Sequence, residues 1–276
     1  MKRKSMAVTI ALIAALVVVL PAAAVQFGQP DGDGHPQVGL LVFDVDGGPA
    51  YRCSGTMIAP RVLLTAGHCT FDDDTVGTGS NVTGGRVWFE PDVGAGFPAN
   101  GYPSGGGTSI AFESWHTHPN YDNNAFFLHD VGVVILAEDG PGPYASVADV
   151  GLLDDLSTRR GQQDQSFTVV GYGLQSVVPE LQADLVRHLG EVSLIDVNGV
   201  FGIPKGTSAS FTNNPGKGNG EGGTCFGDSG GPVFHGDSLT IAAITSFGVN
   251  ANCAGTGGGY RVDTADDQAF INSFLP

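Results

Sequence analysis

Apolar residues come in short runs or at alternate positions, separated by Gly, Pro, Asn and Asp. That spacing predicts β-strands. The first half offers Val38–Val45, Arg52–Ala59, Val62–Thr65, Arg86–Glu90, Ile110–Trp115 and Val131–Leu136. The second half offers Phe167–Val170, Leu185–Leu194, Thr207–Phe211, Pro232–His235, Leu239–Ser246 and Gly259–Val262. Asp46-Gly47-Gly48-Pro49 reads as the first turn, and Glu138–Gly151, with its Gly-Pro-Gly-Pro core, as a linker between halves. The clear helical pattern is terminal, Asp263–Leu275. There Thr264 and Asp267 resemble a capping box, and Phe270, Ile271, Phe274 and Leu275 form an apolar stripe. Many short strands and one terminal helix argue for an all-β barrel or sandwich architecture.

Composition supports that reading. In 276 residues, 41% hydrophobics can build a sizeable core, and 43 glycines with 16 prolines supply many turns. The start looks like a secretory signal: Lys2, Arg3 and Lys4, an apolar run from Met6 to Leu20, then Ala22-Ala23-Ala24. The run is short for a membrane span, and Pro21 breaks it. The expected division is therefore a signal peptide at 1–24 and an exported domain at 25–276. Export permits disulfides, and four cysteines is an even count. Removing 1–24 takes away three of twelve basic residues and none of the 28 acidic ones, so the formal charge falls from −16 to −19. Such a surface repels nucleic acid and anionic membranes. No cofactor is expected, and the chain is expected to act as a monomer.

The loops carry weaker signals. Val25–His35 reads as an extended arm, and 71–85 and 91–109 as surface loops. Asp72-Asp73-Asp74 offers oxygen ligands of the kind calcium takes, but a solvated acidic turn is the simpler reading. Asn81-Val82-Thr83 fits a glycosylation acceptor. His116 and His118 lack a third metal ligand at a recognisable spacing and read as loop histidines, so no metal site is expected.

The stretch with chemistry in it is Thr224-Cys225-Phe226-Gly227-Asp228-Ser229-Gly230-Gly231-Pro232. Glycines on both sides let the backbone turn sharply and present a hydroxyl. A nucleophilic serine needs a base, and the base needs a group that fixes its tautomer. His68 ends a strand in a small-residue turn, and Asp130 opens the apolar strand at Val131. A carboxylate at the mouth of a buried strand is costly unless it is hydrogen-bonded.

Thr65-Ala66-Gly67-His68-Cys69, His129-Asp130-Val131-Gly132-Val133 and Gly227-Asp228-Ser229-Gly230-Gly231-Pro232 resemble the three signature blocks of the trypsin/chymotrypsin-like serine proteases. Gly171-Tyr172-Gly173 and Ser246-Phe247-Gly248 resemble two further segments of that family. The resemblance implies two packed Greek-key antiparallel β-barrels, at about 25–145 and 146–262, with the terminal helix at 264–275. It implies a secreted serine endopeptidase in which Ser229 attacks, His68 is the base and Asp130 orients it. The N–H groups of Gly227 and Ser229 would form the oxyanion hole. Protein or peptide substrates would pair with Ser246, Phe247 and Gly248. The family's disulfide pattern implies Cys53–Cys69 and Cys225–Cys253; zinc, the rival use of four cysteines, would favour a Cys-x-x-Cys that is not present.

Two departures shape further expectations. The family's Ile-Val-Gly-Gly start does not occur, but Val25 lies 28 residues before Cys53, close to the family spacing. The new amine pairing with Asp228 is therefore expected to come from cleavage after Ala24. Where trypsins carry an aspartate two residues before the cysteine of the nucleophile loop, this chain has Gly223. An uncharged pocket flanked by Gly248 and by Gly258 or Gly259 predicts apolar or aromatic side chains before the cleaved bond, unless Glu221 enters it. An α/β-hydrolase is disfavoured, because its acid and histidine follow the serine, and here only 47 residues follow Ser229, with a single histidine, His235, and little helix. The alternative function is an inactive protease-like binding or adhesion module.

Overall fold

The computed structural model describes residues 25–71, 82–157, 165–198, 203–213 and 222–276. The expectations on residues 1–24, Asp72–Asp74, Asn81 and Glu221 lie outside the described residues. Within them the strands run β1 (Gln29–Pro30), β2 (Val38–Val45), β3 (Gly48–Ala59), β4 (Val62–Thr65), β5 (Val82–Trp88), β6 (Ile110–Thr117) and β7 (Gly132–Leu136). They continue as β8 (Ser146–Val147), β9 (Ser166–Gly171), β10 (His188–Asp196), β11 (Ser208–Asn213), β12 (Pro232–His235), β13 (Thr240–Gly248) and β14 (Gly255–Arg261). Helical turns α1 (Gly67–Thr70) and α2 (Leu152–Asp155), a 3-10 turn at Asn123–Ala125 and the terminal helix α3 (Ala265–Asn272) complete the described elements.

Two closed six-stranded antiparallel barrels result. The first pairs β2-β3-β4-β7-β6-β5 and closes through β2 and β5. The second pairs β9-β10-β11-β14-β13-β12 and closes through β12 and β9, with β1 added to β10 and β8 to β13. Counted within each barrel, the order is first, second, third, sixth, fifth, fourth in both halves.

The period-two pattern explains why β2 is buried along almost its whole length. Leu41 and Phe43 point into the first barrel, while Leu40 and Val42 face Trp88 and Tyr172 on the other side. Tyr172 follows β9 of the second barrel, so the second face of β2 is covered by the seam. Each such fully buried aliphatic or aromatic side chain stabilises by roughly 1.5–3 kcal/mol. Arg187, 1% exposed at its side chain, ties the amino-terminal arm to this seam. Its guanidinium donates to Asp31 Oδ2 at 2.7 Å and to the carbonyls of Gly32, Val38 and Phe89. Burial works to raise the Asp31 pKa, but His35 and Arg187 outweigh it and hold the carboxyl below its usual range.

Several boundaries differ from expectation. The first turn contracts to Asp46-Gly47, both at positive φ (52° and 85°), so Gly48 and Pro49 already pair with β2. Two central residues at positive φ make the tight hairpin turn whose twist matches its strands. β6 runs on to Thr117, so His116 is a strand residue rather than a loop one. Its Nε2 is 2.9 Å from Ser114 Oγ, and its ring lies 4.7 Å from that of Phe274. The linker carries β8, which pairs in parallel with β13. The terminal helix is shorter than its pattern suggested, and the Thr264 side chain caps it by accepting from the Asp267 N–H. Phe270, Ile271, Phe274 and Leu275 pack on the main core as expected.

Candidate active site

Three segments from both barrels meet at one end of the seam. His68 lies on α1, directly after β4, and Asp130 directly before β7. Because β4 and β7 are paired, Thr65 opposite Gly132, the two residues emerge side by side. Asp130 is fully buried. Its Oδ1 accepts from the His68 backbone N–H at 2.7 Å, and its Oδ2 lies 2.9 Å from His68 Nδ1. Ser246 Oγ donates to the same Oδ2 at 2.6 Å, which satisfies a carboxylate that would otherwise be expensive to bury. Burial acts to lower the His68 pKa, but the Asp130 charge and hydrogen bond outweigh it and raise it above the ordinary imidazole value.

Ser229 sits on a turn held between the barrels. Its carbonyl accepts from the Ser54 N–H of β3 at 2.8 Å, and the Gly230 N–H reaches Thr245 O of β13 at 2.8 Å. The turn needs positive φ at Gly227 (97°) and Gly230 (78°), which residues with a Cβ rarely adopt. Ser229 and His68 line the same cleft of about 500 Å³, with Thr224, Phe226, Phe247 and Gly248. Among the described residues no hydrogen bond joins the Ser229 hydroxyl to the His68 ring; such bonds commonly tighten only with substrate bound.

The N–H groups around Ser229 divide into two sets. Those of Asp228, Gly230 and Gly231 donate to Cys225 O, Thr245 O and Asp228 O at 3.0, 2.8 and 2.8 Å. Those of Gly227 and Ser229 have no acceptor among the described residues. These two half-buried N–H groups are therefore the ones beside the Ser229 hydroxyl left available to an incoming acceptor.

Asp228 is fully buried and in no ion pair among the described residues. Its carboxylate accepts from the N–H groups of Gly173 at 2.8 Å and Cys225 at 2.9 Å. Burial pushes its pKa up to about 7, against those two bonds and the charge of Arg52. A Cβ on Gly173 would lie 2.4 Å from Asp228 Oδ2, so glycine is required for this approach. Val25 is also fully buried, among residues of the second barrel, and Gln26 O accepts from the Gly223 N–H at 2.9 Å.

Gly223 itself does not line the cleft. A Cβ there would lie 2.1 Å from Asn213 Oδ1, so it sits behind that side chain. Asn213 Nδ2 donates to Thr224 O and Cys253 O, both at 2.8 Å. Next to the cleft lies a small cavity lined by Asn213, Thr224, Thr245 and Gly257, and Thr224 and Thr245 line both. The glycine opposite Gly248 is Gly257 rather than Gly258 or Gly259, and the Phe247 ring lies over Gly258. Sequence reasoning missed Asn213, because it borders a glycine-rich stretch that reads as featureless loop. Both disulfides pair as the resemblance implied, Cys53–Cys69 and Cys225–Cys253.

The structure brings His118 together with His129 and Asp266. His118 Nε2 and His129 Nδ1 lie 3.6 and 3.5 Å from Asp266 Oδ2. The Asn120 N–H donates to His118 Nδ1, which leaves the proton on Nε2, facing the carboxylate. That tautomer suits a His–Asp contact between α3 and the segment before Asp130, not metal ligation through Nε2.

Known proteins with this sequence pattern agree with the geometry. The profile of the family described as Trypsin matches residues 29–267. Brachyurin of Leptuca pugilator is 30% identical over 221 residues, covering 79% of this chain and 82% of its own. A trypsin of Saccharopolyspora erythraea is 29% identical over 215 residues, 75% and 80% of the two chains. The solved structure of HL collagenase superposes with a TM-score of 0.67 at 18% identity, covering 90% of this chain and 98% of that one.

Proposed function

Because the chain belongs to the trypsin family of serine proteases, we propose that it is a secreted endopeptidase that cleaves peptide bonds through an acyl-enzyme on Ser229. The observation that carries this reading is the buried Asp130 carboxylate, gripped by His68 and Ser246 beside a cleft that also holds Ser229. His68 Nε2 takes the proton of Ser229 Oγ as the oxygen attacks the carbonyl carbon, and later delivers it to the leaving amine. Asp130 keeps the His68 proton on Nδ1 and stabilises the ring when it is charged. The free N–H groups of Gly227 and Ser229 receive the oxyanion, each worth on the order of 3 kcal/mol in the transition state. Water then repeats the sequence on the acyl-enzyme, with His68 again as base.

The acyl half of the substrate lies along Ser246–Gly248 as an added strand. Among the described residues the polar groups of the pocket beyond it, Thr212, Asn213, Thr224 and Thr245, are all uncharged, so neither Lys nor Arg is rewarded there. Apolar or aromatic side chains are the expected choice. An amine freed at Val25 supplies the cation that Asp228 lacks; Gln26, bonded to Gly223, already runs beside the nucleophile loop. The test is cleavage of a panel of peptide anilides by the exported protein and by Ser229→Ala. Turnover of apolar or aromatic members, lost in the variant, supports the reading; no turnover by folded, exported protein starting at Val25 contradicts it.

A further inference from the structure

Four of the five arginines among the described residues are held in ion pairs: Arg61 with Glu113, Arg86 with Asp44, Arg187 with Asp31, and Arg261 with Asp154 and Asp263. The fifth, Arg52, has no ion pair and no side-chain hydrogen bond among the described residues. In a chain of net charge −16 an unpaired, half-buried arginine is conspicuous. It precedes Cys53 on β3, and its Nε lies 3.4 Å from where a Cβ on Gly227 would sit. It also lines a groove of about 240 Å³ with Val42, Pro49, Tyr51, Tyr102 and Pro103, none of which belongs to the main cleft.

The position of this groove follows from the bonds around the nucleophile. The Ser229 turn is held between β3, through Ser54, and β13, through Thr245. A substrate strand laid on Ser246–Gly248 has its acyl half on the β13 side. Past Ser229 the chain crosses to the β3 side, where Arg52 waits. The acids that feel its charge are engaged elsewhere: buried Asp228 with two backbone N–H groups, half-buried Asp184 with Gln175 and the Val186 N–H.

We propose that Arg52 is a specificity-determining residue for the leaving half of the substrate, where it receives an acidic side chain within the first two residues after the cleaved bond. The planar guanidinium suits a carboxylate, and Tyr51 and Tyr102 give the adjoining backbone an aromatic floor. The molecule's overall negative field repels acidic peptides at a distance, but salt screens it beyond about 10 Å, whereas a contact pair is screened less. The proposal rests on Ser229 being the nucleophile.

The experiment uses internally quenched peptides that share an optimised acyl half and carry Glu, Gln or Lys at the first or second position after the bond. With the wild type, Glu is expected to exceed Gln in kcat/KM by about tenfold at one of these positions, as a charge-assisted hydrogen bond would give. Lys falls below both. Arg52→Glu should reverse the order of Glu and Lys, and Arg52→Gln should level it. Equal rates for Glu and Gln in the wild type would overturn the proposal, as would an Arg52→Glu that slows every peptide alike without reordering them. A peptide anilide, which has no residues on the leaving side, separates the two ideas. Anilide turnover without a Glu preference sinks the Arg52 role alone; loss of both sinks the nucleophile assignment.

Discussion

Ser246 Oγ donates to Asp130 Oδ2 across the seam between the barrels at 2.6 Å, onto the oxygen that also faces His68 Nδ1. The second barrel thus helps hold the carboxylate that, in the proposed mechanism, orients His68 of the first. Removing this donor leaves a buried carboxylate one bond short, a loss of about 1–3 kcal/mol. Ser246→Ala is expected to lower kcat/KM by about tenfold or more with little change in KM. Steady-state kinetics on one peptide substrate would show it; an unchanged kcat would mean that the bond contributes nothing to catalysis.

The pH profile follows from His68. The ring must be neutral to act as a base, so activity falls as pH drops through its raised pKa. The acid limb of kcat/KM therefore lies above the ordinary imidazole value. In Asp130→Asn the charge that raises the pKa is gone and burial, which lowers it, remains. The limb should move to lower pH while kcat falls by about 10⁴-fold. An acid limb that stayed in place would show that another group controls it.

Strand order along the chain was legible in periodicity, because each barrel strand alternates a core face with another face. The blocks around His68, Asp130 and Ser229 were legible through family resemblance. What lay hidden were contacts far apart in sequence, such as Ser246 with Asp130 and Asn213 behind the pocket. Neither leaves a local pattern, since a serine or asparagine in a strand looks the same whether or not a distant partner awaits it. His116 was misplaced for a related reason: its polar neighbours read as a loop, while pairing with Val133 of β7 keeps it in a strand.

Asp228 makes stability depend on pH in an unusual direction. Its folded pKa of about 7 stands above the ordinary 3.8, so the folded state binds this proton more tightly than the unfolded one. Its contribution is fully favourable below about 4 and is lost as pH rises through about 7. In protein that retains residues 1–24, Asp228→Asn should remove this loss, giving a Tm advantage over the parent that grows between pH 5 and 8. In protein starting at Val25 the amine should stabilise the carboxylate, and the advantage should vanish or reverse. Calorimetry on the two forms checks this; identical pH dependence in both would contradict the pairing of Val25 with Asp228.

The Cys225–Cys253 disulfide closes a 28-residue separation around the nucleophile turn. Replacing both cysteines by serine is expected to cost about 3 kcal/mol by the chain-entropy argument. Denaturant titration of the double variant would measure it, and a cost near zero would show that the loop is held by other contacts.

The proposed mechanism stands or falls with Ser229 as a nucleophile activated by His68. Treating protein that starts at Val25 with a serine-directed phosphonate and mapping the adduct by mass spectrometry is the sharpest check. One adduct is expected, on the peptide containing Ser229, forming more slowly at low pH and absent in Ser229→Ala. Folded protein starting at Val25 that takes up no label at Ser229, or a label that persists in Ser229→Ala, would contradict it.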